Sequence, residues 1–124
     1  MQKQTILMSG AIMGGLAVAI GAFGAHALKP LLLESGRIET FELAVRYQFY
    51  HAFALLSTAL IMNHADSKKL SYAGIFFLLG IIFFSGSLYI LCLSGMTILG
   101  AVTPIGGIFF ILGWILLAIG AIKK

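Results

Sequence analysis

Charge is what this sequence has least of. Of its 124 residues, Lys and Arg supply 8 and Asp and Glu only 4, so 10 % of the chain is charged, against roughly 25 % in soluble domains. With 60 % hydrophobic residues, a chain this short cannot hide its apolar surface in a water-soluble fold, and a lipid bilayer must solvate it. The basic residues stand singly or in pairs at segment ends, which excludes a nucleic-acid surface and leaves them as orientation signals. Cysteine is nearly absent: Cys92 is alone, so no intramolecular disulfide can form and nothing about redox compartment follows. The serines Ser85 and Ser87 lack a GxSxG context and an evident His–Asp partner, so no catalytic residue is assigned. His26 and His51 have no carboxylate or thiol to complete a ligand set, and helical rise separates them by something on the order of 10 Å. No metal and no cofactor are expected; neutral imidazoles can hydrogen-bond without either.

What the chain does have is long apolar stretches. The first, Ser9 to Leu28, reads SGAIMGGLAVAIGAFGAHAL. At about 100° per residue, Gly10, Gly14, Ala17, Gly21, Gly24 and Ala25 fall in one stripe, while Gly15, Ala19, Ala22 and His26 make a second. Ile12, Leu16, Ile20 and Phe23 remain for lipid. Two small-residue faces allow close helix packing, and this segment is expected to be the central helix of a bundle. A secretory leader is the competing assignment, with Lys3 as the positive start and Ala25-His26-Ala27 as the cleavage pattern. The apolar run from Thr5 to Ala25 is longer than the roughly 7–15 residues of such a leader, so a retained span is expected. Lys29-Pro30 should end it, with Leu31 to Leu33 in the interface and Ser35-Gly36 as a turn.

The second segment is less apolar. Extending it back from Tyr47 to Phe41 brings in Glu42 and Arg46, whose i,i+4 spacing permits a salt bridge; the alternative is an interfacial start with Arg46 reaching outward. Asp66 or Ser67 can cap the third segment, which is uncharged to Leu93 and polar only at Ser85, Ser87 and Tyr89. Thr103-Pro104 reads as an N-cap followed by proline at the first helical position. Gly106, Gly113 and Gly120 then repeat every seven residues as a second packing seam; Trp114 is read as a packing residue. The fold class is all-α: one domain over residues 1–124, with four transmembrane helices in an antiparallel bundle spanning roughly 5–28, 41–62, 70–93 and 104–122. Gly10, Gly14, Gly21, Gly106 and Gly113 are the helix-packing positions. Four spans put both termini on one side. That side carries Lys3, Lys68, Lys69, Lys123 and Lys124 against Lys29, Arg37 and Arg46 on the other, which favours cytoplasmic termini.

Helical rise then collects the polar residues in one half of the bilayer. His26, Glu42, Arg46, Tyr47, His51, Ser85, Ser87, Tyr89 and Thr103 all fall in the half of the bilayer away from the termini, and the other half offers little beyond Ser9, Ser57 and Thr58. Ionisable residues in membranes are costly and are functional candidates by default. One reading is a polar pocket built by all four helices. The other, slightly preferred, is a neutralised Glu42–Arg46 pair and a set of mutually satisfied groups that lock the bundle. Thr103 to Gly107 at a helix start could hold an anion, although such glycines more often admit a neighbouring helix.

The runs GAFGAHALK at 21–29, RYQFYHA at 46–52, FFSGSLY at 83–89 and TPIGG at 103–107, followed by Trp114, resemble the YgdD-like family of small inner-membrane proteins, a domain of unknown function. The resemblance covers nearly the whole chain through four motifs in order. It implies a four-helix protein of the bacterial inner membrane and supplies no activity. The function expected is therefore that of an accessory or structural protein. It would bind another membrane component through its glycine faces, its partners being the lipid bilayer and a second copy or another membrane protein. A small-solute or proton transporter is the alternative, and it would need polar groups at both depths. A membrane enzyme comes third.

Overall fold

The computed structural model describes residues 1–122; Lys123 and Lys124, counted above among the basic residues of the terminal side, lie outside them. The described residues form helices joined by short turns, with no strand among them. The order is α1 (Lys3–His26), α2 (Lys29–Ser35), α3 (Ile38–Ile61), α4 (Ser67–Gly80), a π-helical segment (Ile81–Gly86), α5 (Ser87–Ser94) and α6 (Thr103–Ala121), with 3-10 turns at Met62–His64 and Thr97–Ala101. Helix α4, the π segment and α5 make one rod, Ser67–Ser94. Among the described residues, three stretches are long and apolar enough to cross a membrane: Lys3–His26, Ser67–Ser94 and Thr97–Ala121. Helix α3 matches α1 in length, but Glu39, Glu42, Arg46, Gln48 and His51 dilute its apolar character.

The centre of the molecule is α3 and not α1. Nine residues of α3 are buried, from Phe41 to Ala59, against four of α1. Helix α3 touches every other α-helix in the chain. Gln48, His51 and Thr58 of α3 thus turn inward, where protein and not lipid surrounds them, the arrangement an apolar solvent imposes, while Glu39, Glu42 and Arg46 are exposed.

Glycine sets the spacing of the helices. Along α1, Gly10 lies against the Ala52 carbonyl oxygen and Leu56, Gly14 against Ala52, Gly21 against Val45 and Gly24 against the Phe41 ring. The numbers run in opposite directions, so α1 and α3 are antiparallel. The second small-residue strip of α1 is not a packing face: Gly15, Ala19, Ala22 and His26 are all exposed, and nothing lies near Gly15. On the other side of the molecule, Gly80 receives the Phe110 ring, Gly113 the Phe77 ring and Gly120 Leu70, while Gly106 abuts the backbone of Phe84. Each large ring sits over a facing glycine, so α6 and the α4–α5 rod also run antiparallel at close range.

Two helix boundaries differ from the sequence reading. Helix α1 stops at His26 without help from proline; Pro30 instead occupies the first turn of α2, where its missing N–H costs nothing. Thr103 is not the N-cap of α6, a place held by Val102, because its hydroxyl is engaged with Ser87. Asp66 caps α4 by accepting from the Lys68 and Lys69 amides at 3.2 and 3.3 Å. Gly36, at φ 71°, closes α2 in a conformation that side chains disfavour.

Burial divides into two apolar cores. The larger joins Ile6, Leu55, Leu70, Ala73, Phe77, Ile81 and Phe110; the smaller joins Leu32, Phe41 and Cys92 at the α2 end. Tyr47 and Phe84 pack against the larger core and Tyr89 against the smaller.

The Gly106 contact yields a direct test. A methyl group on Gly106 runs into the Phe84 backbone, which cannot rotate away, whereas one on Gly107 meets nothing. Overpacking of this kind costs about 1–3 kcal/mol, while alanine in place of an unobstructed helical glycine is worth roughly 0.5–1 kcal/mol in the other direction. Thermal unfolding in detergent should therefore fall for Gly106→Ala and hold or rise for Gly107→Ala. Equal shifts in the two variants would remove the close approach.

Candidate functional site

The polar residues singled out in the sequence separate into an inner bonded set and an outer charged cleft. The inner set begins with Gln48, 2 % exposed. Its Nε2 donates to the Met13 carbonyl of α1 at 2.9 Å, and its Oε1 accepts from the Tyr89 hydroxyl of α5 at 2.6 Å. One amide thereby ties three helices together. Ser85, fully buried, donates to the Ala44 carbonyl across the same interface at 2.7 Å. Ser87 donates to the Phe84 carbonyl at 3.0 Å and shares a 2.8 Å hydrogen bond with Thr103, joining α5 to α6. The π segment aims these serines. Two residues apart, they lie about 200° apart around the rod, so Ser85 reaches α3 while Ser87 reaches α6.

His51 is held on every side. The Trp114 indole N–H donates to Nε2 at 3.1 Å, so Nε2 carries no proton, and Nδ1 then donates to the Tyr47 carbonyl at 2.6 Å. The ring stacks on Phe110 with centroids 3.5 Å apart and planes 9° from parallel. Tyr47 stacks on Phe84 at 4.8 Å. Both imidazole nitrogens are committed, so His51 has neither a lone pair for a metal nor a vacancy for a substrate proton. Thr58 bonds back to the Ala54 carbonyl at 2.7 Å. Among the described residues, no buried side-chain nitrogen or oxygen lacks a partner.

The charged members lie elsewhere. Glu42 and Arg46 are exposed, and among the described residues the ion pair formed is Lys69 with Asp66 at 3.5 Å. The Glu42–Arg46 salt bridge envisaged from their spacing is therefore not made. Both side chains instead line a cleft of about 500 Å³ with Lys29, at the corner where α1, α2 and α3 meet. His26 is exposed at the end of α1 and is not part of that lining. Gln48 is missing from the sequence reading, although it is no less polar than the Ser85, Ser87 and Tyr89 singled out there. Its signal was helical phase: it shares a face with Phe41, Ala44, Ala52 and Leu55, all of them buried.

A family model described as "Protein of unknown function (DUF423)" matches residues 20–107, a stretch that contains Gln48, His51, Ser85 and Tyr89 and the lining of the charged cleft, but not Met13 or Trp114, to which Gln48 and His51 bond. The chain belongs to this family. It is 42 % identical over 120 residues to the UPF0382 membrane protein SSP2132 of Staphylococcus saprophyticus, covering 97 % of this chain and 98 % of that one. It is 40 % identical over 125 residues to the UPF0382 inner membrane protein YgdD of Escherichia coli, covering 99 % and 93 %. No solved structure matches the chain. Together with the three membrane-length apolar helices, these relatives make it a membrane protein of an uncharacterised family.

The Gln48–Tyr89 contact should show as coupling. Gln48→Leu leaves the Tyr89 hydroxyl without its acceptor, and Tyr89→Phe leaves an amide oxygen without its donor; removing both leaves neither orphan. Polar pairs between membrane helices couple by about 0.6 kcal/mol on average and up to about 1.7. Unfolding of the two single variants and the double variant in one detergent should give a coupling in the upper part of that range. Additive losses would mean that the bond contributes nothing.

Proposed function

We propose that the chain is a non-catalytic, four-span protein of the bacterial inner membrane that binds another membrane component along the seam between α1 and α3. The observation that carries this reading is a division of labour. The interior polar groups are consumed by one another, whereas the α1–α3 seam is open along its length. Three cavities follow it, of about 500, 390 and 280 Å³, from Lys29 and Leu32 at the α2 corner to Leu56. The glycine stripe of α1 does not itself face a partner, because α3 occupies it. The partner surface is the groove beside that stripe, lined by Gly15, Val18, Phe49 and Phe53.

A fourth span is consistent with α3, whose 24 residues extend about 36 Å at 1.5 Å per residue, against a hydrocarbon core of about 30 Å. Its polar face turns into the protein and its exposed Phe49, Phe53 and Leu60 suit lipid. With α3 as the fourth antiparallel span, α2 and its cleft would lie on the side opposite the termini, and the five-to-three excess of Lys and Arg supports termini in the cytoplasm. A transporter has less support, since the half of the molecule around Ile6, Leu55, Ala59, Leu70 and Ala73 offers no polar route. Ser35→Cys and Ser67→Cys in a Cys92→Ala background should label with an impermeant thiol reagent from the outside and the inside respectively. Both labelling from outside would overturn the topology.

Binding is tested by extraction in native-lipid particles, comparing what wild type and Gly15→Phe retain. Gly15 has open space around it, so the ring enters the groove without displacing the fold. The expected result is that one retained component is depleted in the variant. Identical inventories would sink the reading.

A further inference from the structure

The cleft at the head of the seam has the charges of a phospholipid headgroup and the groove below it has the length of an acyl chain. Three charged side chains, Lys29, Glu42 and Arg46, line one cavity, and none of them joins an ion pair among the described residues. Exposed charges of opposite sign on one helix face, with an i,i+4 spacing that favours pairing, are here left to something outside the chain. The location decides what that is. Helix α1 is of membrane-crossing length and ends at His26, three residues before Lys29, so the cleft sits where hydrocarbon gives way to headgroups. Two cations at that depth meet phosphodiesters, and guanidinium binds phosphate through paired N–H donors. The floor of the same cleft is apolar, formed by Leu32, Ile38, Phe41 and Val45.

The groove continues without a break. The charged cleft shares Gly21, Val45 and Arg46 with the second cavity, and the second shares Val18 and Phe49 with the third, which ends at Leu56. From Arg46 to Leu56 the helix rises about 15 Å, half the hydrocarbon thickness of about 30 Å. That is the reach of a chain belonging to one leaflet. The carboxylate makes the last distinction. A purely anionic headgroup would leave Glu42 facing a like charge, whereas an ethanolamine headgroup carries an ammonium for Glu42 and a phosphate for Lys29 and Arg46.

We propose that the α1–α3 seam binds one aminophospholipid, its phosphate between Lys29 and Arg46, its ammonium at Glu42 and one acyl chain along Val18, Phe49 and Phe53. This rests on the reading of the seam as a binding surface and names its occupant.

The test is native mass spectrometry of the full chain in detergent, with phosphatidylethanolamine or phosphatidylglycerol of identical acyl chains added at matched concentrations. Wild type should retain phosphatidylethanolamine at least fivefold better than phosphatidylglycerol. Lys29→Gln/Arg46→Gln should lower retention of phosphatidylethanolamine at least tenfold. Glu42→Gln should abolish the preference, with retention of phosphatidylglycerol rising. Gly15→Phe should weaken both lipids, and Lys68→Gln, remote from the groove, should change neither. Unchanged circular dichroism across the set shows that each variant is folded; all the altered charges are exposed, so none is needed for the core. Equal retention of the two lipids by wild type, or undiminished retention in the double variant, overturns the assignment. If Gly15→Phe strips a protein or a second copy of the chain in place of a lipid, the lipid assignment fails while the seam remains a binding surface. If Gly15→Phe loses nothing, both fail.

Discussion

A polar atom inside a membrane protein has no water to fall back on, and the whole arrangement follows from that constraint. Gln48 is its sharpest expression. Set in the middle of α3, its amide needs a donor and an acceptor from other helices, and it finds both, on α5 and α1. Those two bonds require α1 to approach closely, which only its glycine stripe allows. They also require α5 to present Tyr89 at the same level, and the π segment supplies that register. His51 and Ser85 repeat the solution with α6 and the rod. The apolar cores on either side of this layer are non-directional and could be satisfied by several registers; the bonded layer admits one.

How much of this can be read from the chain alone depends on the kind of physics involved. Apolar length is additive and local, so the three strongly hydrophobic stretches are visible as segments. The glycine stripe of α1 is visible too, because helical phase is a fixed angle. What it packs against is not visible, and the same reasoning gave Gly15 and Ala22 a second face that the structure leaves open. Helix α1 is rich in the residues expected at a centre, yet α3 holds that position, because centrality depends on where polar side chains must hide and not on which helix is smoothest. The Glu42–Arg46 spacing is compatible with a pair, but spacing only permits contact; both side chains turn to a shared cleft. Rise per residue assigns the candidate polar residues to one half of the bilayer, but depth is one coordinate. Angle around the bundle separates His51, Ser85 and Tyr89 inside from Glu42 and Arg46 outside. The π segment left no mark in composition that would separate FFSGSLY from an ordinary helical turn.

The two populations of polar residues also differ in what they ask of evolution and of lipid. The inner layer is closed, so its chemistry is addressed to the protein itself. The outer cleft is unpaired, sits at a helix corner and opens into an apolar groove, so its chemistry is addressed to the surroundings. The proposed lipid site would use that outer chemistry to discriminate among the molecules beside the protein.

The π segment has a consequence for the rod as a whole. One extra residue in a helix offsets everything beyond it by about 100° relative to an unbroken α-helix. The rod Ser67–Ser94 is therefore two helices spliced out of phase: below the splice the face around Phe77 addresses α6, and above it the face around Tyr89 and Cys92 addresses α3 and α2. The splice behaves like a gear between two interfaces. A one-residue deletion between Ile81 and Gly86 would straighten the local hydrogen bonding, yet it would swing Tyr89 away from Gln48 and Cys92 out of the smaller core. Length in this segment is accordingly more tightly constrained than residue identity.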